Sequence, residues 1–364
     1  MLIEKLFLTN FRNYTGTEIY FFPGINLLAG PNGQGKTNLL EAIYYLLTGK
    51  SYRAQREQEL VRWGEAGFYI DGNFRVAGRP VHLESQYRDR RKTVKVNGLS
   101  CRRLSEYVGH VNAVYFSPDD LVMLKGGPLE RRRFIDLHIA QMRPGYVALL
   151  NTYNKILQQK RALLKTSLPR EAKYPYLSLW NEQLIEYGRK VIENRYQFVA
   201  SLQEQCAGIY ADLTAHQEKL TINYLTLGTT DLVQAIFLLP RLLTEKLQEE
   251  IIREAVLVGP HRDDLQIFLN DKSARLYASQ GQQRSIVLAL KLAELSIIRQ
   301  EKGEHPLLLL DDVLSELDRS RRNYLMEFIR SAEIQTLLTM TSADEVDTQV
   351  SAQFRIRHGQ IRRE

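Results

Sequence analysis

The octapeptide Gly30-Pro31-Asn32-Gly33-Gln34-Gly35-Lys36-Thr37 fits the phosphate-loop pattern G-x-x-x-x-G-K-[ST] at every defined position. Glycines let successive backbone N–H groups turn inward around one phosphate, and the start of a following helix adds the positive end of its dipole. Lys36 is placed to reach β- and γ-phosphates, and the Thr37 hydroxyl to bind Mg²⁺. The nucleotide-binding set is therefore Gly30, Pro31, Asn32, Gly33, Gln34, Gly35, Lys36, Thr37 and Asn38. The bland alternative is a glycine-rich turn before a helix. Context argues against it: the run Ile25–Ala29 reads as a strand, and an apolar helical stripe follows at Leu39, Leu40, Ile43, Leu46 and Leu47.

A second constellation lies near the C-terminus. Leu307–Leu310 is wholly apolar and runs into Asp311-Asp312. A strand of that kind is buried on both faces. Asp311 is placed to hold Mg²⁺ together with Thr37, and Asp312 to act as a base on an attacking water. The alternative is two aspartates that only cap a strand end. A third segment, Ser279-Gln280-Gly281-Gln282-Gln283-Arg284, opens a long apolar helix. Ser279 and Gln282 read as a capping box. The same helix tip, with the Ser279 hydroxyl and the Gly281 N–H, can serve as an anion site. The two readings are compatible and both stay open. Lys36, Asp311, Asp312 and Ser279 form the candidate catalytic set.

These residues need elements to position them. The first ~120 residues read as strand-rich around one helix, with paired strands at 68–76 and 81–88 and a hairpin signal at Asn97-Gly98. From Gly126-Gly127-Pro128 the pattern turns helical, over 130–141, 146–165 and 176–215, with interruptions at Leu168-Pro169 and Tyr174-Pro175. A strand at 336–340 and a helix at about 319–331 restore α/β texture at the end.

Composition narrows the class. The chain has 364 residues, 44% hydrophobic and 25% charged, which suits one large or two modest globular domains. No apolar run reaches a membrane span, and the first residues lack a secretory pattern, so a cytoplasmic protein with no membrane partner is expected. Cys101 and Cys206 have no metal or redox spacing and read as idle thiols. The formal charge of +7 favours an anionic partner. The run Tyr87 to Lys95 lies on the expected hairpin, and Arg53, Arg88, Arg90, Arg91 and Lys95 are candidate DNA contacts. Arg102-Arg103 and Arg131-Arg132-Arg133 are two further basic runs. Each such run has a solvated face as its alternative.

The order of phosphate loop, distant Ser-led helix and acid-ended strand, followed by Ser315-Glu316-Leu317-Asp318, looks like that of the ABC-type ATPases. More specifically, the chain resembles the RecF family of bacterial recombination-repair ATPases over nearly its whole length. The resemblance rests on Leu8-Thr9-Asn10-Phe11-Arg12-Asn13-Tyr14, Gly30–Thr37, Gly49-Lys50-Ser51-Tyr52-Arg53, Phe116-Ser117-Pro118-Asp119-Asp120-Leu121, Arg131-Arg132-Arg133-Phe134-Ile135-Asp136, Val258-Gly259-Pro260-His261-Arg262-Asp263-Asp264, Ser279–Arg284 and Leu309–Asp318.

The resemblance implies an α/β fold, an ABC-type ATPase head with a phosphate-loop sheet wrapped around a central helix, and a mostly helical second domain. It implies an ATP-binding lobe of residues 1–120 plus 305–364 and a helical lobe of 121–304 carrying the signature motif. It implies ATP and Mg²⁺ as ligands and a homodimer closed over two nucleotides, with Ser279 of one copy on the γ-phosphate held by the other. It further implies binding to duplex DNA and to ssDNA–dsDNA junctions, slow DNA-stimulated ATP hydrolysis, and action with RecO and RecR to place RecA on gapped DNA. Arg12 and Asn32 are possible extra phosphate contacts.

The chain departs from the wider ABC pattern at several places. Gln280 stands where transporters carry Gly, Asp312 where Glu is usual, and Thr341 or Ser342 where a switch histidine is expected. A Gln-loop is not recognisable; Phe116–Asp120 occupies its region. A transporter subunit, an SMC fragment and an OLD-type nuclease are the rival readings. They are disfavoured by the basic hairpin, by the short spacing between Thr37 and Ser279, and by the lack of an added acidic cluster after Asp312.

Overall fold

A computed structural model describes residues 1–341 and 350–364. The chain divides into two compact units, Met1–Asp120 with Val287–Glu364, and Leu121–Ile286.

The first unit is built on two six-stranded sheets. One is antiparallel, in the order Tyr14–Tyr20, Leu2–Phe11, Gly67–Val76, Arg79–Arg88, Arg91–Val96, Leu99–Ser100. Its hairpins close through residues that tolerate left-handed backbone. Asp89 and Arg90 turn at φ 51° and 59°, and Asn97 and Gly98 at φ 49° and 79°, the geometry that matches strand twist. The other sheet has the order Gln360–Arg363, Ala352–Arg357, Ile25–Ala29, Thr336–Met340, Leu307–Asp311, Ala113–Phe116. The strands Ile25–Ala29, Thr336–Met340, Leu307–Asp311 and Ala113–Phe116 pair in parallel and are buried at every position. That is why Leu307–Leu310 carries no polar alternation.

The helix Lys36–Thr48 touches strands of both sheets and is buried continuously from Leu39 to Thr48. The expected sheet around a central helix is therefore present. Gly72 lets the helix approach, since a Cβ there would lie 2.7 Å from the Leu46 side chain. Gly49, at φ 69°, ends the helix and donates to Tyr45 O. Truncating a fully buried residue such as Leu40 costs about 2–5 kcal/mol.

The second unit holds the helices Pro128–Met142, Pro144–Leu164, Arg170–Leu213 and Leu232–Glu245. It also holds a three-stranded sheet in the order Lys272–Ser273, Asp264–Leu269, Leu220–Leu225, which the helical reading of this region missed. Leu220, Ile222 and Tyr224 alternate inward and carried the strand signal. Tyr174-Pro175 does not interrupt its helix. Pro175 lies in the second turn, where a missing N–H forfeits only one bond, so the remaining turns continue.

The interior of this unit is unusually charged. Arg195, 3% exposed, binds Asp136 through two parallel bonds of 2.8 and 2.9 Å and also Asp263 at 3.2 Å. Arg131 pairs with Asp264 at 2.6 Å, and Arg132 donates to Asp263 O. The basic run at Arg131–Arg133 is thus largely structural, and only Arg133 is exposed. Unpaired, any of these charges would be costly to bury.

The division between units also differs from expectation. It falls at 286/287 rather than at 304/305, so the helix Gln280–Lys302 is shared. The reason is the apolar stretch Val287, Leu288, Leu290, Leu292 and Leu295, all buried, which belongs to the first unit's core.

Candidate nucleotide site

Gly30, Gly33 and Gly35 have φ of 156°, 76° and 117°. Gly33 and Gly35 occupy backbone that side chains rarely adopt. A Cβ on Gly30 would lie 2.3 Å from Ile356 O, and one on Gly35 2.6 Å from Asn13 Nδ2. The tip Pro31–Gly33 is exposed, while Lys36 is 7% exposed. Lys36 Nζ donates to Gly30 O at 2.6 Å and Pro31 O at 3.0 Å, which holds the ammonium beneath the loop. Burial lowers its pKa, and the charges of Asp312 and Asp311 oppose that shift.

Asp311 is 6% exposed and well supplied with donors. Thr37 Oγ1 and Thr339 Oγ1 donate to Oδ1, each at 2.9 Å, and Tyr115 Oη donates to Oδ2 at 2.8 Å. Three donors offset the cost of burying the carboxylate oxygens. Burial pushes the Tyr115 phenol far up, so it remains a donor. Tyr52 stacks on the Tyr115 ring at 3.8 Å.

Asp312 sits in left-handed backbone at φ 56°, with its N–H donated to Thr339 Oγ1 at 2.9 Å. The same threonine hydroxyl thus serves both aspartates. Lys36, Thr37, Asp311 and Asp312 therefore form one cluster at the carboxyl ends of the parallel strands. Ligands bind at that end of α/β sheets. The Thr37 hydroxyl and Asp311 carboxylate are hard oxygen donors that fit Mg²⁺.

Several supports were not foreseen. Asn13 Nδ2 donates to Gln34 O at 3.0 Å, Tyr14 Oη to Gly35 O at 2.9 Å, and Asn38 Nδ2 to Asn13 Oδ1 at 2.9 Å. Polar residues inside apolar runs were the available signal: Thr339 and Tyr115 within buried strands, Glu41 within the helix stripe. Arg12 is placed differently from its possible phosphate role. Two of its nitrogens bind Glu41, fully buried, at 2.9 Å each, and a third binds Glu59 O. A buried carboxylate requires such a partner. Asn32 stands exposed at the loop tip.

Ser279 and Gly281 belong to the second unit. The capping box is formed: Ser279 N–H donates to Gln282 Oε1 at 2.8 Å, and Gln282 N–H to Ser279 Oγ at 3.3 Å. Asp318 caps the helix Arg319–Ser331 by accepting from Arg321 N–H. In the Phe116–Asp120 segment, Asp120 accepts from Ser117 N–H and pairs with Lys291 at 2.9 Å. Thr341 is exposed; Ser342, the other residue named for the switch position, lies outside the described residues.

Of the candidate DNA contacts, Arg88, Arg90 and Arg91 are exposed around one hairpin turn. Lys95 is paired with Glu84 at 3.1 Å. Arg53 donates to Asn38 Oδ1 at 3.2 Å, beside the loop. Lys92, within the same basic run, turns inward: it donates to Gly49 O and lies 4.3 Å from the Tyr45 ring centroid. Burial brings its pKa down to about 8.

The model of the RecF/RecN/SMC N-terminal domain family matches residues 2–362. A DNA replication and repair protein RecF of Desulfitobacterium hafniense is 55% identical over 364 residues, the full length of both chains. The chain belongs to the RecF family. A further RecF, from Halalkalibacterium halodurans, is 41% identical over 356 residues, covering 96% of this chain and 95% of its own. A solved recombination mediator protein RecF-ATP of the RecFOR pathway superposes with a TM-score of 0.90 at 34% identity, covering 100% of this chain and 97% of that one. An Smc head bound to the C-terminal winged-helix domain of ScpA shares the fold, with a TM-score of 0.60 at 17% identity and coverage of 100% and 97%. The architecture is that of the ABC-type ATPase heads common to RecF and SMC proteins.

Proposed function

We propose that this RecF-family chain is an ATP-dependent DNA-binding repair protein that uses slow ATP hydrolysis to control its own dimerisation. One observation carries the reading: Thr37 of the phosphate loop is bonded to Asp311, with Lys36 drawn beneath the same loop. A RecF that is 34% identical has been solved with ATP, which supports ATP as the ligand.

In this reading the Gly30–Asn38 segment binds the triphosphate, and Lys36 neutralises its terminal oxygens. Thr37 and Asp311 hold Mg²⁺, which supplies further neutralisation of the phosphates. Asp312 orients the attacking water and holds its proton; its arm is short for that work, which suits slow turnover. Ser279 and Gly281 of a second copy cover the γ-phosphate, so loss of that phosphate releases the dimer. The dimer binds duplex DNA and ssDNA–dsDNA junctions, through Arg53, Arg88, Arg90, Arg91 and Lys95 on the candidate list, and DNA stimulates hydrolysis. Partners are RecR with RecO, and through them RecA, in the cytoplasm. Among the described residues no helix is long and apolar enough to cross a membrane.

Light scattering with and without ATP tests the core of this reading. The unaltered chain is expected to dimerise with ATP, and Ser279→Arg to bind ATP yet stay monomeric. Equal dimerisation by the variant removes the composite site.

A further inference from the structure

Strands Ala352–Arg357 and Gln360–Arg363 form an antiparallel hairpin at the edge of the nucleotide-bearing sheet. Its register opposes Arg355 to Arg362 and Arg357 to Gln360, while Ile356 opposes Ile361. Directly opposed residues share a face. Arg355, Arg357 and Arg362 therefore stand together on the side away from Phe354 and Ile356, and all three are exposed while those two are buried. Arg355 pairs with Glu364 at 2.6 Å. Among the described residues, neither Arg357 nor Arg362 forms an ion pair. Arginine opposite arginine is unfavourable in the free protein, and a polyanion relieves it.

The kind of anion follows from the chemistry. Alternate strand residues lie ~6.8 Å apart and project the same way, and a guanidinium fork matches phosphate with two parallel bonds. The hairpin shows no large exposed hydrophobic side chain, whereas a protein interface is built around an apolar or aromatic centre. A charge-only face at strand spacing fits a nucleic-acid backbone.

The hairpin is also fastened to the phosphate loop. His358 N–H donates to Gln34 Oε1 at 2.8 Å, and Gly359 N–H to Gln34 O at 3.1 Å. Gly359, at φ 73°, packs so closely that a Cβ would lie 2.5 Å from Asn13 O. Gln34 thus ties the turn to the phosphate loop at two points.

We propose that this hairpin is a DNA-backbone contact whose Arg355, Arg357 and Arg362 face binds duplex phosphates and is held to the nucleotide loop through Gln34. It lies apart from the Arg88–Lys95 hairpin and rests on the DNA-binding function proposed above.

The test is fluorescence anisotropy of a labelled duplex titrated with full-length protein and ATP over a salt series. For Arg357→Gln/Arg362→Gln, the slope of log K against log salt is expected to fall by about two, near one per phosphate contact. Arg357→Lys/Arg362→Lys is expected to restore it, which separates lost charge from lost folding. A glutamine variant with the unaltered slope and affinity overturns the proposal. So does one that keeps the DNA slope but no longer binds polyglutamate, because that assigns the face to an acidic protein. Failure of the unaltered chain to bind duplex overturns the DNA-binding function as well, so the two failures are distinguishable.

Discussion

Thr339 Oγ1 lies 2.9 Å from Asp311 Oδ1, and it receives the Asp312 N–H at the same distance. A hydroxyl has one proton to give. Here it goes to Asp311, while the lone pairs receive Asp312. The threonine, fully buried, thereby fixes the carboxylate proposed to hold the metal and the backbone of the proposed base together. Thr339→Val keeps the shape and removes both bonds. Leaving such partners unmet costs ~1–3 kcal/mol, or roughly 5- to 150-fold in rate. ATP turnover is expected to fall by that factor while nucleotide binding persists. Thr339→Ser should recover turnover. Steady-state ATPase assays alongside nucleotide-binding titrations check the split.

Lys36 is held beneath the loop by two carbonyls and faces two aspartates. Lys36→Met removes the only cation in that cluster and leaves Asp311 and Asp312 to repel the incoming phosphates. Loss of both ATP affinity and ATP-dependent dimerisation is expected, and fluorescent-nucleotide titration with light scattering measures each. A variant that still dimerises with ATP removes Lys36 from the proposed role.

Cap and anion site can be separated at the Ser279 helix. Gln282→Ala breaks half of the reciprocal box but leaves the Ser279 hydroxyl in place. Its cost to stability is expected at about 1 kcal/mol, with ATP-dependent dimerisation retained. Thermal unfolding reads the first effect and light scattering the second. If Gln282→Ala is as monomeric as Ser279→Arg, the box acts only by holding the helix tip.

His261 makes the second unit sensitive to acid. Its Nδ1 accepts from Tyr153 Oη at 2.7 Å, and burial depresses its pKa from 6.5 to about 3. The unfolded chain therefore binds more protons than the folded chain between those values. Stability is full above pH ~6.5 and is lost as pH falls towards ~3. His305, lowered to about 4, acts in the same direction. Urea unfolding across this range is expected to show a shallower pH dependence for His261→Gln than for the unaltered chain.

Much of this site was readable from residue types. The octapeptide announced its loop because the glycines and Lys36 have few other uses at that spacing, and Leu307–Asp311 announced itself because a buried parallel strand shows no alternation. The capping box at Ser279 and Gln282 was legible because both bonds are local. Thr339, Tyr115, Asn13 and Tyr14 were not, since each acts on a partner distant in sequence and none has a spacing rule. Arg131 and Arg195 show the same limit from the other side. Charge reads as surface until the fold supplies Asp264 and Asp136. The second unit's strand at 220–225 was lost among long helices although its alternation was present.

The strand that delivers the phosphate loop, Ile25–Ala29, is paired on one side by Thr336–Met340 and on the other by Ala352–Arg357. These partners are about 300 residues downstream, so during synthesis on the ribosome the loop emerges early and waits with both edges unpaired. Contacts of such long sequence separation form late. An interrupted or clipped chain ending before Thr336 would hold every residue of the octapeptide and still lack both strands that flank the one delivering it.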